Sequence, residues 1–356
     1  MSTQTESRRS LSYVEALREA MEIEMSRDEA VFVFGLDVDD HKAIQGSTQG
    51  LVEKFGAERV FTTPLSEDAM TGVAIGAAMA GMRPIHVHIR MDFLMLCMNQ
   101  LINIAAKTRY MYGGSASVPM VVRCMIGKSW GQGAQHSQGL HSMFMHVPGL
   151  RVVAPSNAYD VKGAMATAVA DNNPVVFMEH RLLYPTESYV PADRYTIEMG
   201  KARVVRKGSD VTLVGVSNMV VECLRAAELL AEIGIDAEVV DPIFLAPLDT
   251  KTIANSVRKT KRMLIVDNAW TACGASAEIL SQVVEAIGAE KRLDVGRMGF
   301  APTTCPATPS LEDHFYPNPT TISTKVHQMV RPSAGPWIPD PDRAELAYQK
   351  QFKGPF

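Results

Sequence analysis

The sequence predicts an α/β protein, with a domain built on a parallel sheet followed by a second, smaller α/β domain. Three observations predict it. A chain of 356 residues is long enough for about two domains. Short apolar runs alternate with helix-like stretches twice over, the pattern of parallel strands joined by helical crossovers. Between the two blocks, over 184–200, the alternation gives way to Pro, Thr, Ser and Tyr, with Pro185 and Pro191, the composition of a linker. The expected divisions are 1–190, 200–330 and an extended tail over 331–356.

The first block opens with a helix-like stretch at 11–25 and a strand at 31–34. Further strands are expected at 59–62, 84–87, 120–122, 150–153 and 174–177, with helices at 68–80, 94–112 and 159–170. The strand runs are mostly apolar rather than alternating, as in strands covered on both faces. Ser156 and Asn157 stand where the N-cap of the last helix belongs, offering a side-chain oxygen to a first-turn amide. Gly72, Gly76 and Gly81 lie at helical spacing and, with the alanines around them, make a small-residue face for close packing. The second block gives strands at 211–214, 237–240 and 263–266 and helices at 220–233, after Asp249, and at 275–287.

Composition excludes several classes. At 46% hydrophobic and 21% charged residues, the chain is neither disordered nor a collagen. Its 35 basic residues are outnumbered by 39 acidic ones, which argues against nucleic-acid binding by general electrostatics. The N-terminus has Arg8 and Arg9 but no apolar segment after them, and no run approaches a membrane span, so a cytoplasmic location without membrane attachment is expected. The 5 cysteines are widely spaced with no CxxC, and are expected to be buried free thiols. A surplus of Met, 21 against 12 Phe, is expected mainly as flexible core filler.

Some motifs fail. Gly127-Lys128-Ser129 ends like a phosphate-binding loop, but Val122 stands where the first Gly is needed, so no amide nest can form. No HExxH, GxSxG or Ser–His–Asp order is present. Two others hold. Thr63-Pro64-Leu65-Ser66-Glu67 follows a strand and precedes the glycine-rich helix, which puts a carboxylate at the carboxyl end of a parallel strand, where such sheets bind ligands. From local sequence alone, Glu67 either serves a ligand or caps the helix. Gly131-Gln132-Gly133-Ala134-Gln135-His136-Ser137-Gln138 carries an imidazole in a glycine loop, suited to proton transfer near neutral pH. His141 and His146 follow, with no carboxylate or Cys to complete a metal set.

Together these segments resemble the beta subunit of the thiamine-diphosphate-dependent 2-oxo acid dehydrogenases, the pyruvate, branched-chain and acetoin enzymes, related to transketolase. The likeness runs over about 11–330. It also includes Asn99-Gln100-Leu101-Ile102-Asn103, Pro148-Gly149-Leu150, Asp171-Asn172-Asn173-Pro174 and Ala246-Pro247-Leu248-Asp249, in family order. The resemblance implies a pyrimidine-binding domain followed by a transketolase-type C-terminal domain. It implies that Glu67 is the cofactor glutamate: a shielded carboxylate against a pyrimidine ring nitrogen favours the imino tautomer, whose exocyclic nitrogen removes the thiazolium proton. Leu65 and Phe93 match cofactor-binding positions, and His136 matches the histidine that meets the substrate or the lipoyl arm. The family's potassium ligands carry over to the carbonyls of Met120, Ala168, Val169 and Asp171, with Asn173.

The diphosphate and its magnesium are held in this superfamily by a Gly-Asp-Gly motif, and no Gly-Asp-Gly occurs in this sequence. An alpha subunit is therefore expected to hold them, in a heterotetramer with a beta–beta contact, and a dihydrolipoyl acyltransferase is a further expected partner. The methionines over 91–111, Met95 and Met98 among them, then have a subunit contact open to them as well as the core.

The sequence departs from the family pattern at three places. His86, His88 and Arg90 stand where the dehydrogenases usually carry small, acidic or apolar groups. His88, Arg90 and Gln138 are the candidates for facing the substrate. Arg90 either grips an anionic substrate or pairs with Asp92 or with an alpha-chain acid. Asp241-Pro242-Ile243 replaces a segment that usually carries Arg, and the tail after Arg331 runs past the family's usual end. The alternative function is a two-chain carboligase that passes its acyl or ketol unit to another carbonyl compound without a lipoyl partner. A non-catalytic scaffold is the reading from a different class.

Overall fold

The apolar runs become two parallel sheets joined through one shared core. In this computed structural model the described residues are 9–128, 131–288 and 292–340. Ser129 of the Gly-Lys-Ser run and residues 341–356 of the expected tail lie outside them. The first sheet has 7 strands, in spatial order Phe244–Ala246, Arg151–Val153, Val175–His180, Val121–Ile126, Arg83–His88, Val31–Gly35 and Val60–Thr62. All pair in parallel except the edge strand Phe244–Ala246, which lies antiparallel to Arg151–Val153. The second sheet has 5 strands, Asp294–Phe300, Arg262–Trp270, Val211–Gly215, Ala237–Asp241 and Arg203–Arg206, only the last antiparallel. One buried apolar cluster takes Phe34 and Val122 from the first sheet and Val214, Val240 and Ile265 from the second.

The helix Tyr13–Arg27 starts in a capping box: Ser12 Oγ accepts from the Glu15 amide, and the Glu15 carboxylate accepts from the Ser12 amide at 2.8 Å. It lays Ala16, Leu17, Ala20 and Met21 against the helix Ala158–Ala170. Of the two expected caps for that second helix, Asn157 is the one, its Oδ1 accepting from Asp160 N at 2.9 Å.

Two stretches differ from expectation. The expected helix over 94–112 is broken into an α-turn Met91–Leu94, a tighter turn Met95–Cys97, a wide π-helical segment Asn99–Ala105 and an α-helix Ala106–Met111. The wide segment carries the Asn99–Asn103 motif. The linker is not loose: Glu187–Tyr189 pairs antiparallel with Ser10–Ser12. The buried Lys162 donates to Glu19 and to the carbonyls of Pro191 and Ala192 at 2.5, 2.5 and 3.0 Å, and Thr167 Oγ1 donates to the Ile197 carbonyl at 2.7 Å. Of the cysteines, Cys273 is exposed and the other four are buried. Met91 is core, Met95 and Met98 are partly covered by it, and Met111 is bare. Among the described residues no helix is long and apolar enough to cross a membrane.

Candidate active site

Glu67 is the first residue of the helix Glu67–Met79, five residues beyond the end of the strand Val60–Thr62 and therefore at the carboxyl edge of the first sheet. Ser66 makes no side-chain cap on this helix. The Glu67 carboxylate is half-buried and forms no hydrogen bond with the described residues, so it is not spent on capping either. Beside it Leu65 is 77% exposed, a large apolar side chain left bare next to an acid. The helix packs on Met95–Cys97 and Asn99–Ala105, the segments that follow Phe93. Burial pushes the Cys97 thiol up to about 11; a hydrogen bond with Thr71 opposes that shift and the charges of Glu67 and Asp68 add to it. Cys97 thus marks the floor beneath the acid.

Further along that floor, Thr71 Oγ1 lies 3.5 Å from His86 Nδ1, and His88 Nε2 lies 3.3 Å from the same nitrogen. Phe34 stacks on the His86 ring at 4.5 Å. Burial holds both imidazoles below the usual histidine range, His88 at about 4. Two neutral rings sharing one nitrogen form a buried polar ladder, so His88, at 3% exposure, sits under the site rather than on its open surface.

A second group gathers around the glycine loop. The rings of Phe93 and His136 meet edge to face at 5.4 Å and 81°. Gln138 donates to Asp92 Oδ1 from its side chain at 2.8 Å and from its backbone at 3.3 Å. Asp92 therefore serves Gln138, and Arg90 does not close on it. The wholly buried Arg181 ties the loop down, donating to the carbonyls of Gly127 and His136 at 2.5 and 3.1 Å and to that of Ile89 at 3.4 Å. Burial and then the positive charge of Arg90, with Arg181 adding to it, lower the His136 pKa against the pull of Asp92. At neutral pH His136 is therefore a neutral imidazole, free to accept a proton. Phe93 and His136, 43 residues apart in sequence, are brought together by the fold. Sequence reasoning missed Thr71, Cys97 and Arg181 and considered Asp92 only as a partner of Arg90; of the three, only Arg181 had a signal, its proximity to a strand end.

The expected potassium ligands are in part already engaged. Arg83 Nη1 donates to the carbonyls of Val169 and Asp171 at 2.8 and 3.3 Å, and the Met120 carbonyl accepts from Val175 N at 2.9 Å. Asn173 turns its Nδ2 to Asp171 Oδ1 at 2.6 Å. A guanidinium thus already brings positive charge to two of these carbonyls.

Comparison with known proteins agrees with this layout. Residues 9–187 match the family model "Transketolase, pyrimidine binding domain" and residues 200–322 match "Transketolase, C-terminal domain". The chain is 41% identical over 333 residues to the acetoin:2,6-dichlorophenolindophenol oxidoreductase subunit beta of Cupriavidus necator, covering 91% of this chain and 98% of that one. It is 45% identical over 271 residues to the pyruvate dehydrogenase E1 component subunit beta of Rickettsia felis, covering 76% and 83%. The chain belongs to the 2-oxo acid dehydrogenase E1 beta subunits. A solved structure described as a split gene transketolase, inactive beta4 tetramer, shares the fold with a TM-score of 0.74 at 19% identity, over 90% of this chain and 98% of that one. Within the E1 beta family the carboligase alternative gains no support, since both relatives carry the names of oxidoreductase subunits.

Proposed function

We propose that this chain supplies the pyrimidine-binding half of the active site of a thiamine-diphosphate-dependent 2-oxo acid dehydrogenase, acting in the cytoplasm with an alpha subunit that holds the diphosphate and magnesium. Glu67 carries the reading, as a carboxylate at the sheet's carboxyl edge that no group among the described residues uses, with the bare Leu65 beside it. That pairing suits a flat heterocycle with a ring nitrogen: Glu67 shares a proton with the nitrogen while Leu65 and Phe93 cover the ring faces. Thiamine diphosphate, when bound, supplies the electron sink for decarboxylation. The chain's own residues then position and protect. Arg181 fixes the loop through the His136 carbonyl, Phe93 sets the His136 ring, and neutral His136 accepts or returns a proton as the acyl unit leaves for a lipoyl carrier. Leu96, Ile104, Tyr110 and Met111, 39–90% exposed on the broken helix, offer an apolar face for the subunit contacts of a heterotetramer.

Calorimetry with thiamine diphosphate and magnesium tests the division of labour. The chain alone is expected to give no tight, magnesium-dependent binding, and the chain assembled with its alpha subunit is expected to give it. Tight binding by the chain alone would refute the proposal.

A further inference from the structure

The decarboxylation reading leaves the charge of Arg90 unused. Arg90 ends the segment that follows strand Arg83–His88, and its Nε is buried without a hydrogen-bond partner. Among the described residues no carboxylate comes to ion-pair distance of it: Asp92 and Asp37 act on it only through space, and Asp92 Oδ1 is held by Gln138. A second guanidinium stands close by. Arg181 is wholly buried, bonds only to carbonyls, and also leaves its Nε unpartnered. Burial and then the charge of Arg90 lower its pKa to about 10, and Arg181 reaches the Ile89 carbonyl, one residue before Arg90. Two half-satisfied guanidiniums are a costly arrangement unless an anion completes it.

There is room for one. A cavity of about 220 Å³ opens at Arg90, lined also by Asp37, Asp40, Lys42, Ile44 and Gln45. Its acids do not fill the anion's role, since Asp40 Oδ1 accepts from the amides of Lys42 and Ala43 at 2.9 and 2.7 Å and Asp37 stays outside ion-pair reach. The wall is held in an unfavourable backbone: Ala43, Ile44 and Gln45 have φ of 44°, 48° and 59° in succession. For a β-branched residue such as Ile44, that left-handed geometry is strained, and strain of this kind persists where the surroundings enforce a particular shape. Ile89 also lines the cavity, and Arg181 donates to both the Ile89 and His136 carbonyls, while Arg90 directly precedes the turn that carries Phe93, so the cavity adjoins the site.

We propose that Arg90 reads the far end of the substrate, and that the preferred 2-oxo acid carries a second carboxylate on its chain. This rests on the decarboxylase reading above and names its substrate class. The distal carboxylate pairs with the Arg90 guanidinium, with Lys42 also lining the cavity, while the 2-oxo carboxyl group faces the cofactor.

The test uses the complex assembled with the alpha subunit, thiamine diphosphate, magnesium and an artificial electron acceptor. The specificity ratio is kcat/KM for four- to six-carbon 2-oxo dicarboxylates over that for 2-oxo monocarboxylates of equal length with an uncharged side chain. The wild-type ratio is expected to exceed one at the best chain length. It should fall by about 30-fold in Arg90→Leu, the loss of one charged hydrogen-bonded contact, and recover in part in Arg90→Lys. Because it is a ratio, partial assembly of a variant does not affect it. Turnover of 2-oxo monocarboxylates with a wild-type ratio at or below one, or a ratio that Arg90→Leu leaves unchanged, would overturn this proposal alone. No turnover of any 2-oxo acid would overturn the decarboxylase reading and this one with it.

Discussion

Asp241 shows how a single buried carboxyl couples this fold to pH. It lies wholly inside the protein at the end of strand Ala237–Asp241, accepting from the Ser156 hydroxyl and, at 2.8 Å, from the Ile243 amide. Burial first, and then the nearby Asp160 carboxylate, push its pKa up to about 7. A raised carboxyl pKa means that the folded state resists ionisation, so stability is full below the unfolded value of about 4 and declines as pH rises from there through about 7. Asp241→Asn keeps a neutral acceptor for Ile243 and removes the ionisation. It is expected to raise the melting midpoint by on the order of a few °C at pH 8 and not at pH 4, measured by scanning calorimetry. A gain of equal size at both pH values would contradict this. At this scale the sequence was legible where chemistry sits in a short motif: Glu67 and His136 could be picked out from their own neighbours. Arg181 could not, because its meaning depends on Ile89, Gly127 and His136, which lie 92, 54 and 45 residues away along the chain.

Among the elements, the glycine loop is shaped by the second sheet as much as by the first. Gly139 sits where an added Cβ would lie 1.8 Å from the Asn268 carbonyl oxygen, a backbone atom of strand Arg262–Trp270 that cannot step aside. His141 Nε2, two residues on, meets Asp267 Oδ1 at 2.9 Å, pinning the same junction. Gly139→Ala is expected to cost about 2 kcal/mol or more by forcing the loop off the strand, read as a lower denaturant midpoint and a loss of turnover in the assembled enzyme. A variant with wild-type stability would show that the loop is not pressed on the strand. The buried strands of both blocks were legible because short apolar runs carry their own signature. Two features were not. The break over Met91–Met111 preserves helical periodicity closely enough that sequence spacing cannot tell a widened turn from an α-turn. The strand Phe244–Ala246 is three residues long and acquires its identity only by pairing with Arg151–Val153, a contact between sequence blocks.

For the whole molecule, length and composition indicated two α/β units, and the fold adds that they share a core and an edge strand. Among the described residues, an acid without a protein partner, a bare Leu65 and an apolar face at Leu96, Ile104, Tyr110 and Met111 fit the proposed role of a chain whose chemistry other molecules complete. In the proposed function Glu67 is the group that activates the cofactor. The most direct measurement is decarboxylation of a 2-oxo acid by the assembled complex carrying Glu67→Gln, with cofactor binding followed in the same preparation. Since Glu67 is half-exposed and unbonded, assembly and melting should hold while kcat falls by about 10²–10⁴-fold. A complex that assembles, binds thiamine diphosphate and turns over at the wild-type rate would contradict the account.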